Sequence, residues 1–247
     1  MELAIAEEVT FPADAEFPCD RLRGYFAAPA AGTPAPGLVL VPDVRGLYDH
    51  FRDVARRYAC EGLATLAVDL YSREGAPELG DLDSVFRWMR ALPDRRILAD
   101  LGAAARWLRG HERVSGRSVG ITGFCMGGQY ALMASCVHAS FDACVSWYGM
   151  LRYAEKDAGR PADPLDLAPQ LQCPLLAMFG AEDTLIPQTD VDALRSVLAR
   201  AGKQFEIEVY RGAGHAFFND ARPEMYRAAA AAPAWARSVD FLRRHLA

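Results

Sequence analysis

Three residues in this chain have the types that nucleophilic acyl transfer needs, and each follows an apolar run: Cys125, Asp183 and His215. A thiolate can attack a carbonyl, an imidazole can take and return the proton, and a carboxylate can orient the imidazole. Cys125 lies in Gly123-Phe-Cys-Met-Gly127, the nucleophile-elbow pattern G-x-S-x-G with cysteine in the serine position. The glycines are a steric requirement, because a strand that reverses directly into a helix leaves no room for side chains two positions either side of the turning residue. A cysteine at such a turn sits at a helix N-terminus, where free amides and the helix dipole favour the thiolate. Taken singly, each residue has a plainer role. Cys125 could be a small buried hydrophobe, Asp183 a turn or helix cap, and His215 a packed loop residue. Their chain order of nucleophile, acid and base is what joins them.

The elements that must position them can be read from the pattern. Val119 to Thr122 predicts a buried strand and Met126 to His138 the helix after the turn. Pro174 to Gly180 predicts a strand ending in the Gly180-Ala-Glu-Asp183 turn, with Pro187 opening a helix. Phe205 to Tyr210 predicts another, followed by Arg211-Gly-Ala-Gly-His215. All three residues thus fall just past the C-terminal ends of strands, the edge at which open parallel sheets bind ligands, and in the order of an α/β-hydrolase triad. Elsewhere, strands are expected at 3–11, 22–28, Leu38–Val41, Ala64–Leu70 and Phe141–Trp147, with Ala27 to Gly37 as a surface connection. Helices are expected over Tyr48–Glu61 with Gly62 as its C-cap, about 82–91, 95–109, and about Pro223 to His245, where Pro233 should kink or break the helix. Residues 151–172 read as irregular. Strands alternating with helices predict a mostly parallel sheet covered on both faces, an α/β fold over residues 1–247 as one domain.

Composition narrows the function classes. Hydrophobic residues make up 51% and charged residues 24%, ordinary for a globular protein with a sizeable core. A net charge of −5 without a basic run argues against nucleic acid. The first residues lack the positive and long apolar regions of a signal peptide, and no apolar stretch is long enough for a bilayer. The six cysteines (19, 60, 125, 136, 144, 173) show no C-x-x-C and no zinc-like spacing, so no metal or cofactor is expected. Cys60, Cys136, Cys144 and Cys173 are expected to be core thiols. A thiol nucleophile needs a reducing compartment, which makes the cytoplasm the expected location, with the chain a monomer or homodimer.

With those residues placed, the chain resembles the dienelactone hydrolase family of α/β-hydrolases from about Val39 to Phe241. The resemblance rests on Pro42-Asp-Val-Arg-Gly46, Val68-Asp-Leu-Tyr71, Gly123-Phe-Cys-Met-Gly-Gly128, Trp147-Tyr-Gly149, Gly180-Ala-Glu-Asp183 and Gly212-Ala-Gly-His-Ala-Phe217. It implies that Asp43 touches the nucleophile thiol and helps to activate it, although well-known members carry Glu there. A nearby carboxylate would keep the resting thiol neutral; the plainer role of Asp43 is to cap the turn into the next helix. The backbone amides of Val44 and Met126 would form the oxyanion hole. Family members that act on dienelactone grip its carboxylate with arginines, one of them four residues after the histidine. Here Asn219 holds that position, with Arg222 three residues further on. The other arginine could correspond to Arg87, to Arg90 or to nothing. Arg45 stands where type members carry an apolar ring and is either a displaced carboxylate clamp or a solvent-facing residue. Tyr148 and Phe124 are further candidates for lining the site, and Trp147 is expected in the core.

The resulting expectation is a cofactor-independent hydrolase of a small ester or lactone, with Cys125, His215 and Asp183 as triad and a thioester intermediate. The alternatives are a broad-specificity carboxylesterase, a lyase or isomerase using the same pocket, and a ligand-binding protein that has kept the fold without the chemistry.

Overall fold

The computed structural model describes residues 4–246. The chain opens with two antiparallel strands, β1 (Ala4–Phe11) and β2 (Leu22–Pro29). Six mutually parallel strands follow: β3 (Ala35–Val41), β4 (Ala64–Val68), β5 (Val114–Phe124), β6 (Ala143–Trp147), β7 (Leu175–Gly180) and β8 (Phe205–Tyr210). Together they form one sheet in the order β1-β2-β4-β3-β5-β6-β7-β8, with β2 antiparallel to β4. Every residue of β4, β6 and β7 is buried, as their unbroken apolar runs require of strands covered on both faces.

The helices α1 (Asp49–Cys60), α2 (Leu82–Ala91), α3 (Asp94–Arg109), α4 (Met126–Val137), the single turn α5 (Pro164–Leu167) and α6 (Gln188–Arg200) lie in the crossovers between these strands, and α7 (Ala228–Leu246) follows the last of them. α3 packs on α4. Against the sheet, α1 and α7 are joined by a 2.8 Å hydrogen bond between the buried Tyr58 and Ser238 hydroxyls. Gly120 of β5 lets α7 close in: a Cβ there would lie 2.9 Å from Leu246 Cδ1 and 3.3 Å from Leu242 Cδ2.

After β3 the chain crosses to β4 on one side, and β5 then pairs with the other side of β3. This reversal opens a crevice at the C-terminal ends of β3 and β5, the place where open α/β sheets bind ligands. Val41 is in register with Gly123, so the loops after both strands leave the sheet at the same level.

The structure departs from the sequence expectations at several points. The connection expected over Ala27–Gly37 is only residues 30–34, because its alanines and prolines extend β2 and β3. The final helix starts at Ala228, not Pro223, and runs on through Pro233. Pro233 is the sixth residue of α7, so its missing N–H forfeits one intrahelical bond just past the four N-terminal donors that a helix leaves unpaired. Residues 151–172 include α5 and a 3₁₀ turn, Ala168–Gln170. Cys60, expected in the core, is exposed at the last position of α1, whose buried face is carried by Phe51, Val54, Ala55, Tyr58 and Ala59.

Candidate active site

The elbow is built as its glycines demand. Cys125 links β5 to α4 with φ 55° and ψ −119°, a conformation that costs energy in a residue with a Cβ. A Cβ on Gly123 would lie 2.0 Å from the Gly127 carbonyl oxygen, and one on Gly127 would lie 2.1 Å from that of Val41. The Cys125 N–H donates to Trp147 O at 3.0 Å, which pins the turn to β6.

Asp183 and His215 arrive from the ends of β7 and β8. The Asp183 side chain is fully buried; its Oδ1 accepts from the Leu185 and Ile186 amides at 2.8 and 3.3 Å, and its Oδ2 lies 2.8 Å from His215 Nδ1. That pairing leaves His215 Nε2 buried without a well-formed hydrogen bond, while the ring lines the same cavity as Cys125. Burial by itself would lower the imidazole pKa. The neighbouring Cys125 sulfur and the bond to Asp183 outweigh it and push His215 up to about 10. Tyr148 buttresses the ring edge-on, with centroids 5.3 Å apart.

Asp43, only 6% exposed, follows β3 and faces the same cavity. Its Oδ1 accepts from the Arg45 amide at 2.8 Å, so it does shape the turn. Its Oδ2 takes Tyr48 Oη at 3.3 Å and Asn219 Nδ2 at 3.4 Å, and Asn219 Nδ2 also donates to Tyr48 Oη at 2.7 Å. Burial raises the Asp43 pKa, offset in part by the Arg45 amide. The neighbouring Val44 turns its carbonyl to the buried Tyr71 hydroxyl at 2.9 Å, and among the described residues no acceptor takes its N–H. The Met126 amide is in the first turn of α4 and has no intrahelical acceptor. Tyr48 and Tyr71 were given no role at the site by sequence reasoning, although Tyr71 ends one of the motifs behind the resemblance. A tyrosine gives no periodic signal of what its hydroxyl will reach, and Tyr48 meets Asn219 across 171 positions.

The cavity has a volume of about 510 Å³. Leu79, Val85, Phe86, Met89 and Met150 give it a broad apolar wall, and Arg45 and Arg222 stand among its charged lining. Arg45 is exposed and makes no ion pair among the described residues, whereas Arg222 pairs with Glu224 at 3.0 Å. The expected pocket-lining roles of Tyr148, Phe124 and Asn219 do not match their placement. All three are buried outside the cavity wall: Phe124 stacks on Trp147 and Phe218, Tyr148 backs His215, and Asn219 holds Asp43 and Tyr48. Trp147 is in the core. Arg87 and Arg90 are exposed and lie outside this cavity, because α2 turns Val85, Phe86 and Met89 towards it. No group of three or more His, Cys, Asp or Glu positioned to hold a metal ion occurs among the described residues, and none of the described helices is long and apolar enough to cross a membrane.

The mostly parallel sheet, the sharp turn after β5 and the acid and histidine after β7 and β8 define an α/β-hydrolase fold. The chain belongs to the dienelactone hydrolase family, whose profile matches residues 22–246, and is a carboxylic ester hydrolase of that type. It is 36% identical over 229 residues to the "Putative carboxymethylenebutenolidase" of Escherichia coli strain K12, covering 92% of this chain and 83% of that one. It is 34% identical over 222 residues to the "Probable 2-oxo-3-(5-oxofuran-2-ylidene)propanoate lactonase" of a Bradyrhizobium species, covering 90% and 89%. Among solved structures, the "Putative Dienelactone Hydrolase" from Klebsiella pneumoniae superposes with a TM-score of 0.90 at 35% identity over 98% of this chain and 99% of that one.

Proposed function

We propose that the protein hydrolyses small esters or lactones through Cys125, with His215 as general base and acid and Asp183 as its orienting partner. The observation that carries this reading is the Asp183–His215 bond at 2.8 Å, which turns Nε2 towards a cavity that also holds the strained Cys125. His215 takes the thiol proton, and the sulfur bonds to the carbonyl carbon while the Val44 and Met126 amides hold the oxyanion. As the C–O bond breaks, the proton passes from His215 to the departing alkoxide, which in a lactone stays attached to the acyl group. Water, deprotonated by His215, then cleaves the thioester and restores the thiol.

Asp43 acts on this centre as a second proton-holding group. Its buried carboxyl is reluctant to ionise, and it stands on the loop that also presents Val44. Arg45 reads a substrate carboxylate at the cavity mouth, a role that its unpaired guanidinium suits and that relatives named as carboxymethylenebutenolidases and a lactonase make apt. The apolar wall favours a second reading, a carboxylesterase of broad specificity. Six free thiols suit a cytoplasmic setting.

The test is to trap the intermediate. With p-nitrophenyl acetate, mass spectrometry of a rapidly quenched reaction should find an acetyl group on the peptide containing Cys125, and Cys125→Ala should lose both adduct and turnover. Turnover that survives Cys125→Ala would rule out the cysteine mechanism. Arg45→Ala should lower the preference for carboxylate-bearing lactones over neutral esters by roughly one to two orders of magnitude in kcat/KM, the worth of a charged hydrogen bond. An unchanged preference would return Arg45 to a solvent-facing role.

A further inference from the structure

Phe86, Met89 and Met150 line the catalytic cavity and also a second cavity of about 350 Å³ between α2 and the 150–160 loop. Arg160 stands in the wall of that second cavity and is only 7% exposed. Its Nη2 donates to the Met89 carbonyl, and its guanidinium lies over the Tyr153 ring, 5.2 Å from the centroid. Its Nε is buried without a partner, and its Nη1 makes no hydrogen bond to a described residue.

Nor does Arg160 form an ion pair among the described residues. Asp157 commits Oδ1 to the Gly159 and Arg160 amides, while Asp94 takes the Tyr130 and Tyr153 hydroxyls on Oδ1 and meets Arg160 only through the electrostatic field. Lys156, also in the lining, is held by Asp163 and Asp166, and Arg90 and Glu155 add one charge of each sign to the wall. A guanidinium taken out of water with no carboxylate hydrogen-bonded to it is costly, and a planar fork with a donor left over at a cavity wall can take an incoming carboxylate.

We propose that this second cavity is a subsite for the far end of the substrate's acyl chain, where Arg160 binds a terminal carboxylate. The preferred substrates are then esters whose apolar acyl chain crosses the Phe86–Met89–Met150 seam and ends in an acid group. This subsite is separate from Arg45, which does not line the second cavity. The inference rests on the hydrolase reading above for the position of the ester, but the subsite can be tested without turnover.

The kinetic experiment compares p-nitrophenyl hemisuberate with p-nitrophenyl octanoate, which differ at the end of the chain. The wild type is expected to favour the hemisuberate in kcat/KM. Arg160→Gln should cut that preference about tenfold, with the loss in the KM for hemisuberate. Should that variant fail to fold, Arg160→Lys keeps the charge, loses the fork and carries the same test with a smaller loss. A wild type that favours the octanoate, or a folded variant that keeps the wild-type ratio, overturns the proposal. Calorimetric titration of suberate into Cys125→Ala separates this subsite from the chemistry. Binding that weakens about tenfold when Arg160→Gln is added supports the subsite even if neither ester is hydrolysed, a result that would sink only the hydrolase reading. No measurable binding overturns the subsite.

Discussion

Cys125 combines a left-handed backbone with a place beside an imidazole whose pKa is pushed up to about 10. Iodoacetamide should therefore remove activity in step with labelling of Cys125. Cys60 is exposed and will also be labelled, without loss of activity, whereas burial pushes the Cys136 and Cys173 thiols up to about 12 and should leave them slow to react. Peptide mapping against residual activity checks this, and activity that followed Cys60 would move the nucleophile. The raised His215 pKa also fixes the sign of a stability effect. Protonation is favoured in the folded state, so the stabilisation is fully present below pH 6.5 and is lost as the pH climbs through about 10. In urea unfolding, the gap between wild type and His215→Gln should narrow from pH 6 to pH 10; a widening gap would contradict the assignment. Asp43 has the opposite consequence at neutral pH. Its folded pKa is raised, so the folded state loses stability as the carboxyl is forced to ionise above its ordinary 3.8. Asp43→Asn should accordingly raise Tm at pH 7 while lowering kcat. A variant less stable than wild type would mean that the carboxylate supports the turn more than it strains the site.

The elements matter through the way their ends are held. The β3 exit is fixed from three directions: Tyr71 grips the Val44 carbonyl, Tyr48 and Asn219 hold Asp43, and the Arg45 amide closes the turn on the Asp43 carboxylate. Tyr71→Phe removes one buried bond, so it should cost about 1 kcal/mol of stability and, on the proposed mechanism, lower kcat more than it alters KM, because the loop carrying the proposed oxyanion donor is loosened. Equal losses in kcat for a set of leaving groups, set against an unchanged KM, would be read by steady-state kinetics; a change confined to KM would place Tyr71 in substrate binding. The same network explains Asn219. Asn219, where the resemblance implied an arginine, is turned inward to link the histidine loop to the loop after β3. The carboxylate recognition proposed above therefore falls to cations on other elements.

At the scale of the molecule, the crevice exists because the chain reverses direction across the sheet between β4 and β5, and α7 seals the sheet beneath it. Leu242 of α7 is fully buried over Gly120, four residues before the β5 end. Leu242→Ala should destabilise the protein by about 2–5 kcal/mol through the cavity it leaves. Denaturant unfolding measures that directly, and a loss below about 1 kcal/mol would mean that α7 settles into the gap or is not part of the cooperative unit.

The sharp turn at Cys125 and the placement of Asp183 and His215 just past their strands were legible in the sequence because each depends on local rules. Gly123 and Gly127 are needed by the turn itself, apolar runs mark the strands, and a loop residue just past a strand falls at the ligand-binding edge wherever the sheet is parallel. Cys60 was misjudged because an apolar neighbourhood in sequence does not say which side of α1 a residue faces at its last turn. Asn219, Tyr148 and Phe124 were expected in the cavity wall and stand behind it, since whether a side chain faces the cavity or supports it is set by packing between elements distant in the chain. Arg160 offered no signal either: an arginine in an irregular segment reads as a solvated loop residue. Only the tertiary fold takes its guanidinium out of water, lays it on Tyr153 and leaves its donors at the wall of a cavity, because burial and pairing are properties of what the rest of the chain brings there.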